Sequence, residues 1–170
     1  VPLASANPSQ RSEFLTIASV EVRCVDEAGA IRVMPTGPRA QHPHYRSLRE
    51  RRHPGLVLFS SGSTGRSKAA VHDLTFLLEK FKVRRRCQRA IAFLLYDHIG
   101  GVNTMLYTLS NAGCMVTVGD RSPDHVLAAV AKHRVELLPA SPTFLNLVLL
   151  SQAWQRHDLS SLRTVTYGTE

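Results

Sequence analysis

A run of small, hydroxylic and basic residues extends from Ser60 to Lys68, directly after four apolar residues. Glycine allows backbone conformations that bring N–H groups close to an anion, and hydroxyl groups add further donors. Lys68 adds a positive charge on a flexible stem. The residue types therefore predict a phosphate-binding loop after a buried strand at residues 56–59. Its candidate binding residues are Ser60, Ser61, Gly62, Ser63, Thr64, Gly65 and Lys68.

The spacing of this run differs from that of the Walker P-loop, in which four residues separate two glycines and lysine follows the second glycine directly. Gly62 and Gly65 are three positions apart, and Lys68 lies three positions after Gly65. The alternative interpretation is a Ser/Gly-rich surface turn. The preceding apolar strand and the lysine favour a phosphate loop that is not of the Walker type.

The same run resembles the phosphate loop of the adenylate-forming superfamily. This group includes acyl- and aryl-CoA synthetases, the adenylation domains of nonribosomal peptide synthetases and firefly luciferase. Its signature is a hydrophobic strand followed by Ser/Thr-Ser-Gly-Ser/Thr-Thr-Gly-x-Pro-Lys. Residues 60–68 match at each position except Ser67, where the family usually has proline, and Ala69 replaces the glycine that usually follows. Both substitutes are small, so the resemblance implies that the loop is retained.

A second segment of the resemblance is Tyr96-Asp97-His98-Ile99. The family carries an aromatic residue or histidine between the phosphate loop and the acyl pocket, which implies a catalytic role for His98 together with Lys68. The alternative is a polar residue at a strand end that is satisfied by the backbone. Amino-acid-activating members commonly place an aspartate after this residue. Ile99 at that position disfavours an α-amino acid substrate, whereas a register shifted by one residue would place Asp97 there.

The last four residues resemble the family motif Tyr-Gly-x-Thr-Glu. In that motif the tyrosine lies against adenine, the threonine contacts phosphate and the glutamate binds magnesium. The resemblance therefore implies nucleotide contacts by Tyr167, Gly168 and Thr169 and a metal-binding role for Glu170. The sequence lacks the residue between Gly168 and Thr169, which leaves the direction of the Tyr167 ring open.

The implied enzyme is an acid–thiol ligase similar to acyl-CoA synthetases. A small carboxylic acid attacks ATP in the presence of Mg²⁺ to give an acyl-adenylate and pyrophosphate, and the acyl group then passes to a thiol. The acceptor implied by the resemblance is coenzyme A or the phosphopantetheine of an acyl carrier protein. Positioning and charge neutralisation supply the rate in such a reaction. An amino-acid-activating adenylation domain is the alternative within the family.

The composition adds a competing interpretation from another functional class. The formal charge is +8, and arginine and lysine concentrate in residues 39–52 and 80–89. Such clusters attract polyanions, so a non-catalytic module that binds polyanions or nucleic acid is the second hypothesis. Neither cluster is interleaved with the stacking aromatics of single-strand binders, and we therefore interpret both as solvated connectors. Nucleic acid is not the expected partner.

The sequence predicts no membrane span, because no apolar run reaches about 18 residues. The three cysteines are widely spaced, which argues against a disulfide framework and fits a reducing, cytoplasmic compartment. Cys114 is predicted to lie in the core.

Strand and helix patterns alternate after residue 55, which predicts an α/β fold with a mostly parallel sheet and helices on both faces. This matches part of the large N-terminal domain of an adenylate-forming enzyme. We divide the chain into a lead-in with a β-hairpin at 1–37, a basic connector at 38–54 and an ATP-binding α/β segment at 55–170. The predicted strands are residues 14–25, 31–34, 56–59, 90–96, 114–118, 135–138 and 162–167. The predicted helices include residues 73–82, 101–111 with Gly113 as C-terminal cap, and two that begin at Ser122-Pro123 and Ser141-Pro142. A short helix is expected near 45–51, and residues 1–12 are expected to be irregular.

The family's ribose-binding aspartate, hinge and small C-terminal domain with its catalytic lysine would lie beyond Glu170, so we expect the chain to be part of a larger enzyme. We therefore predict that these 170 residues alone form little or no acyl-adenylate. An ATP–pyrophosphate exchange assay measures this directly. Robust exchange by the 170-residue chain would contradict the prediction.

Overall fold

The computed structural model describes residues 6–37, 39–61 and 67–168. The chain forms two compact units, Val1–Glu79 and Lys80–Glu170, and each is described by itself.

Within its described residues, the first unit contains three helices and two antiparallel β-hairpins. Its elements are α1 (Pro8–Ile17), β1 (Val22–Glu27), β2 (Ala30–Pro35), α2 (Pro43–Arg51), β3 (Gly55–Ser61), β4 (Ser67–Asp73) and α3 (Leu74–Glu79). Strand β1 pairs with β2, and β3 pairs with β4. The β1–β2 hairpin and the short helix α2 confirm the sequence-based expectations for these regions.

Helix α1 corrects the prediction of an irregular lead-in followed by a strand at 14–25. Asn7 accepts a hydrogen bond from the backbone N–H of Gln10 at 2.9 Å, and the Gln10 side chain accepts from the N–H of Asn7. This capping box and Pro8 in the first turn define a helix start. The apolar alternation after Phe14 therefore spans the end of a helix and the start of a strand.

Strand β3 corrects a second prediction, because it pairs in antiparallel orientation with β4 and the sequence pattern placed it in the parallel sheet. Strand β4 was not predicted. The helix expected at 73–82 is the shorter α3, and its predicted cap is confirmed, since Asp73 accepts a hydrogen bond from the N–H of Thr75 at 3.0 Å.

The second unit is built on a four-stranded parallel sheet, which confirms the α/β fold class. The strand order is β6-β5-β7-β8. The elements are β5 (Arg89–Ile91), α4 (Ile99–Ser110), β6 (Cys114–Val116), α5 (Pro123–His133), β7 (Leu137–Ala140), α6 (Pro142–Ser151), a 3-10 helix (Ala153–Gln155) and β8 (Thr164–Tyr167).

Helices α5 and α6 supply much of the core of this unit. The predicted apolar face of α5 is confirmed, because its three members are almost completely buried: Val126, Leu127 and Val130. Ser141 caps α6 by accepting a hydrogen bond from the N–H of Phe144 at 3.1 Å, and Phe144 packs in the core. Leu149 of the same helix is 64% exposed.

Three predictions around β5 and β6 are wrong. The apolar run at 90–96 forms a strand only as far as Ile91. The left-handed residue after α4 is Ala112 (φ 57°) and not Gly113. Gly113 is needed for space, since a Cβ atom there would meet the carbonyl oxygen of Gln88 and lie 2.8 Å from Cγ2 of Thr108. Cys114 is exposed and does not belong to the core.

The first turn of α4 lies directly against the backbone that leaves β5. A Cβ atom at Gly101 would lie 2.5 Å from the carbonyl carbon of Leu95 and closer still to its oxygen. Real Cβ atoms do not approach backbone atoms this closely, so only glycine fits. This close approach sets the position of the residues just before the helix, including His98.

We predict that Gly101→Ala lowers the free energy of unfolding by about 1–3 kcal/mol, because the added methyl group forces the helix and the preceding backbone apart. Urea unfolding followed by circular dichroism measures the change. Gly119→Ala is the matched control, since a Cβ atom at Gly119 meets nothing within 4 Å. Equal urea midpoints for the two variants would contradict the packing argument.

Candidate functional site

The β3–β4 hairpin holds the described ends of the predicted phosphate loop. Its register places Ser60 opposite Lys68 and Ser61 opposite Ser67. The side chains of Ser60 and Lys68 are both exposed. Directly opposed residues have Cβ atoms about 4.5–5.5 Å apart, so this register brings a hydroxyl group and an ammonium group to one end of the hairpin. That combination suits a phosphate oxygen.

The base of the hairpin is anchored by apolar contacts. Val57 and Leu58 are buried, and the ring of Phe59 stacks on Phe14 of α1 with centroids 4.0 Å apart. These contacts hold β3 in place up to the residue before Ser60. Gly62, Ser63, Thr64 and Gly65 lie outside the described residues, and their assigned contacts stay predictions.

His98 precedes the first residue of α4. Its carbonyl oxygen accepts the N–H of Val102 at 3.1 Å, so its backbone begins the helix. Its imidazole is 61% exposed, and Nε2 lies 3.6 Å from Oδ1 of the buried Asp97. The carboxylate of Asp97 lies just before α4, and a negative charge at a helix N-terminus is favourable. The exposed imidazole of His98 can contact a ligand from this position.

Tyr167 is the last residue of β8 and pairs with Ala140 of β7. Its side chain is 74% exposed, and Gly168 follows it. Tyr167 lies at the carboxyl end of its strand, and the segment that leads to His98 leaves the carboxyl end of β5 in the same sheet. Ligands of open parallel sheets bind beyond this edge. Thr169 and Glu170 lie outside the described residues, so their predicted roles stay predictions.

The part of the chain that the structure describes holds neither a metal-binding cluster nor a membrane-spanning helix. Within residues 6–37, 39–61 and 67–168, no three His, Cys, Asp or Glu residues are grouped so that they could hold a metal ion. No helix in this part of the chain combines the length and apolar character that crossing a bilayer requires. A cleft of about 380 Å³ in the first unit lies beside α2, and none of the predicted site residues lines it.

Comparison with known proteins identifies the chain's family. The family model described as AMP-binding enzyme matches residues 5–170. The chain belongs to the AMP-binding enzyme family.

Two curated relatives illustrate the similarity within this AMP-binding family. Feruloyl-CoA synthase of Amycolatopsis sp is 32% identical over 120 residues, which cover 66% of this chain and 24% of the relative. Indoleacetate–CoA ligase of Aromatoleum aromaticum is 28% identical over 123 residues, which cover 68% of this chain and 24% of the relative. The matched region thus spans about a quarter of the length of these relatives.

Solved structures of AMP-binding enzymes share the fold. The amide bond synthetase McbA from Marinactinospora thermotolerans has a TM-score of 0.55 and 30% identity, with 66% of this chain and 24% of that chain covered. The anthranilate CoA ligase AuaEII, solved in complex with anthranoyl-AMP, has a TM-score of 0.56 and 26% identity, with coverage of 67% and 24%.

An ion pair that the sequence did not indicate braces the β3–β4 hairpin. Oδ2 of Asp73, at the end of β4, lies 2.8 Å from Nδ1 of His53, just before β3. Asp73 also accepts the N–H of Thr75, and Arg51 lies 3.9 Å away. Partial burial raises the pKa of Asp73, but the hydrogen bond and charge of His53 and the backbone N–H groups of Thr75 and Phe76 outweigh it and lower the pKa below its usual value.

The lowered pKa of Asp73 predicts the direction of a pH effect on stability. Since the carboxylate has a lower pKa in the folded chain, its charge stabilises the fold above the unfolded value of about 3.9, and this contribution is lost as the pH falls through the folded-state pKa. Asp73→Asn keeps an oxygen for the cap and removes the charge. We expect the Tm difference between the unmodified chain and Asp73→Asn to shrink as the pH falls below about 4. A difference that does not change with pH would contradict the ion-pair assignment.

Proposed function

We propose that the chain forms the nucleotide-binding part of an enzyme that activates a carboxylic acid with Mg-ATP. The family match over residues 5–170 carries this proposal. The register that sets Ser60 opposite Lys68 supports it, because the two side chains suit adjacent phosphate oxygens.

The first chemical step is attack by a carboxylate oxygen on the α-phosphorus of ATP, with pyrophosphate as the leaving group and acyl-adenylate as the product. Lys68 places its ammonium against the phosphates, and the loop adds hydroxyl and N–H donors. These groups neutralise charge that builds up in the transition state. In this proposal the loop donors are Ser60, Ser61, Gly62, Ser63, Thr64 and Gly65.

The remaining predicted residues act at the carboxyl edge of the sheet. Tyr167 lies against the adenine, Gly168 contacts the nucleotide, and Thr169 contacts phosphate. His98 acts between the phosphates and the acid, and its exposed imidazole is compatible with that role. Glu170 is the residue that would hold Mg²⁺, and a carboxylate is a suitable ligand for this hard cation. Bound Mg²⁺ would neutralise phosphate charge.

The names of the relatives favour an aromatic acid and a thiol acceptor. They refer to CoA ligation of ferulate and indoleacetate, and one structure holds anthranoyl-AMP. We therefore propose an aryl acid as substrate and coenzyme A as acceptor, with a carrier-protein phosphopantetheine as the alternative thiol. The three free cysteines are in keeping with a reducing, cytoplasmic compartment.

Two other reactions of this family remain as candidates. Similarity to an amide bond synthetase at 30% identity raises an amine acceptor in place of the thiol. An α-amino acid substrate is less favoured, because Ile99 follows His98 and offers no charge to an ammonium group. Incubation of the acyl-adenylate with coenzyme A or with an amine distinguishes the acceptors by the product formed.

The proposal predicts that Lys68→Ala weakens Mg-ATP binding by about tenfold or more, because a charge-assisted hydrogen bond contributes about 1.5–3 kcal/mol. Isothermal titration calorimetry on the 170-residue chain measures the affinity. Arg32→Ala is the control, since Arg32 is also an exposed cation of the first unit but lies in β2. Equal affinities for the two variants would contradict the role of Lys68. Binding that depends instead on Arg84 to Arg86, with a steep salt dependence, would favour the polyanion-binding hypothesis.

A further inference from the structure

The amino ends of three adjacent strands bring charged residues from distant parts of the sequence together. Arg89 begins β5, Glu136 precedes β7 and Arg163 precedes β8. The N–H of Glu136 donates to the carbonyl oxygen of Arg89 at 2.8 Å, and the N–H of Arg163 donates to that of Glu136 at 2.9 Å. The three residues therefore lie side by side along one edge of the sheet.

Glu136 is the carboxylate at the centre of this group, and more than one cation lies around its single negative charge. Its Oε1 lies 3.4 Å from Nε of Arg163 and 3.6 Å from Nη2 of Arg86, and its Oε2 accepts the N–H of Arg89 at 3.2 Å. The side chain of Glu136 is 22% exposed, whereas those of Arg86 and Arg163 are more than half exposed. One carboxylate cannot neutralise both guanidinium groups, so positive charge faces solvent.

Further cations flank the same edge. Arg134 follows α5 and lies 3.6 Å from Asp158, and Arg84, Arg85 and Lys132 are exposed. We name this set the basic edge, and it contains two carboxylates, Glu136 and Asp158, against seven cations: Arg84, Arg85, Arg86, Arg89, Lys132, Arg134 and Arg163.

The backbone of the basic edge is held in place. The N–H of Arg85 donates to the side-chain oxygen of Asn111, which is almost completely buried. The N–H of Cys114 donates to the carbonyl oxygen of Gln88 at 3.1 Å, and Gln88 is buried. Cations on a fixed backbone lose less conformational entropy when they bind a partner than cations on a mobile tail.

We propose that the basic edge is a docking surface for an acidic protein. Six of its seven cations are arginine, which pairs with carboxylates through two parallel hydrogen bonds. Glu136 and Asp158 lie among these cations, and a uniformly negative phosphate surface would repel these two carboxylates. A protein partner can present carboxylates to the arginines and a cation to the two acids, so it complements both signs.

Two observations support a protein partner over nucleic acid. The named residues of the basic edge include no aromatic side chain for base stacking. Val83, 65% exposed beside Arg84, suits the mixed polar and apolar character of a protein interface. The basic edge lies at the opposite ends of the strands from Tyr167, so a docked partner leaves the carboxyl edge open. This inference does not depend on the proposed adenylation.

The test uses a fluorescein-labelled oligoglutamate peptide with interspersed lysines, which offers both signs of charge, and the 170-residue chain, with binding followed by fluorescence anisotropy. We expect Arg86→Glu together with Arg163→Glu to weaken binding on the order of tenfold. The matched control is Arg46→Glu together with Arg52→Glu, which reverses two exposed arginines of the first unit. This control is expected to retain most of the affinity.

Three outcomes would overturn the proposal. The first is no binding of this peptide at low salt, and the second is an equal loss in the control variant. The third is tighter binding of duplex RNA or phosphatidylserine vesicles than of the peptide, with the same dependence on Arg86 and Arg163. Circular dichroism checks the fold of each variant. If the charge reversal unfolds the chain, Arg86→Gln with Arg163→Gln replaces it, and a loss of affinity relative to the control is again the supporting result.

Discussion

Parallel pairing of β5, β6, β7 and β8 is the constraint on which the second unit depends. Because all four strands point the same way, every carboxyl end lies on one edge of the sheet and every amino end on the other. Tyr167 and the segment that leads to His98 share the first edge, and the arginines around Glu136 share the second. The polarity of the backbone thus separates the edge that we propose to face the nucleotide from the edge that carries these arginines.

Local sequence signals predicted the helices that begin with a strong N-terminal cap or carry a regular apolar face. Ser141 with Pro142 and the buried face of α5 are examples. Strand β4 was missed because Ser67 to Asp73 contains no alternation of large apolar side chains, and its conformation follows from backbone pairing with β3. Helix α1 was missed because the alternation after Phe14 was interpreted as a strand and the capping box at Asn7 was not recognised.

In the candidate site, too, the sequence predicted which residues belong to a motif but did not predict where the fold places them. A contiguous motif was sufficient to select Ser60 and Lys68, but their opposition across a hairpin depends on a register that the sequence does not state. His53 and Asp73 are 20 positions apart, and Arg89, Glu136 and Arg163 span a still longer stretch. No local pattern links such residues, because the strands that bring them together are set by packing of the whole unit.

Helix α5 ends without a glycine, and this has a consequence for how the unit folds. Arg134 takes the left-handed conformation (φ 52°), which costs a residue with a Cβ atom about 1–2 kcal/mol. The next residue, Val135, is completely buried, and its N–H donates to the carbonyl oxygen of Val130 at 3.0 Å. Burial of a valine contributes about 1.5–3 kcal/mol, enough to offset the strain. The end of α5 therefore forms together with the burial of Val135 in the core. In an isolated α5 peptide this burial is absent, and nothing would offset the strain at Arg134.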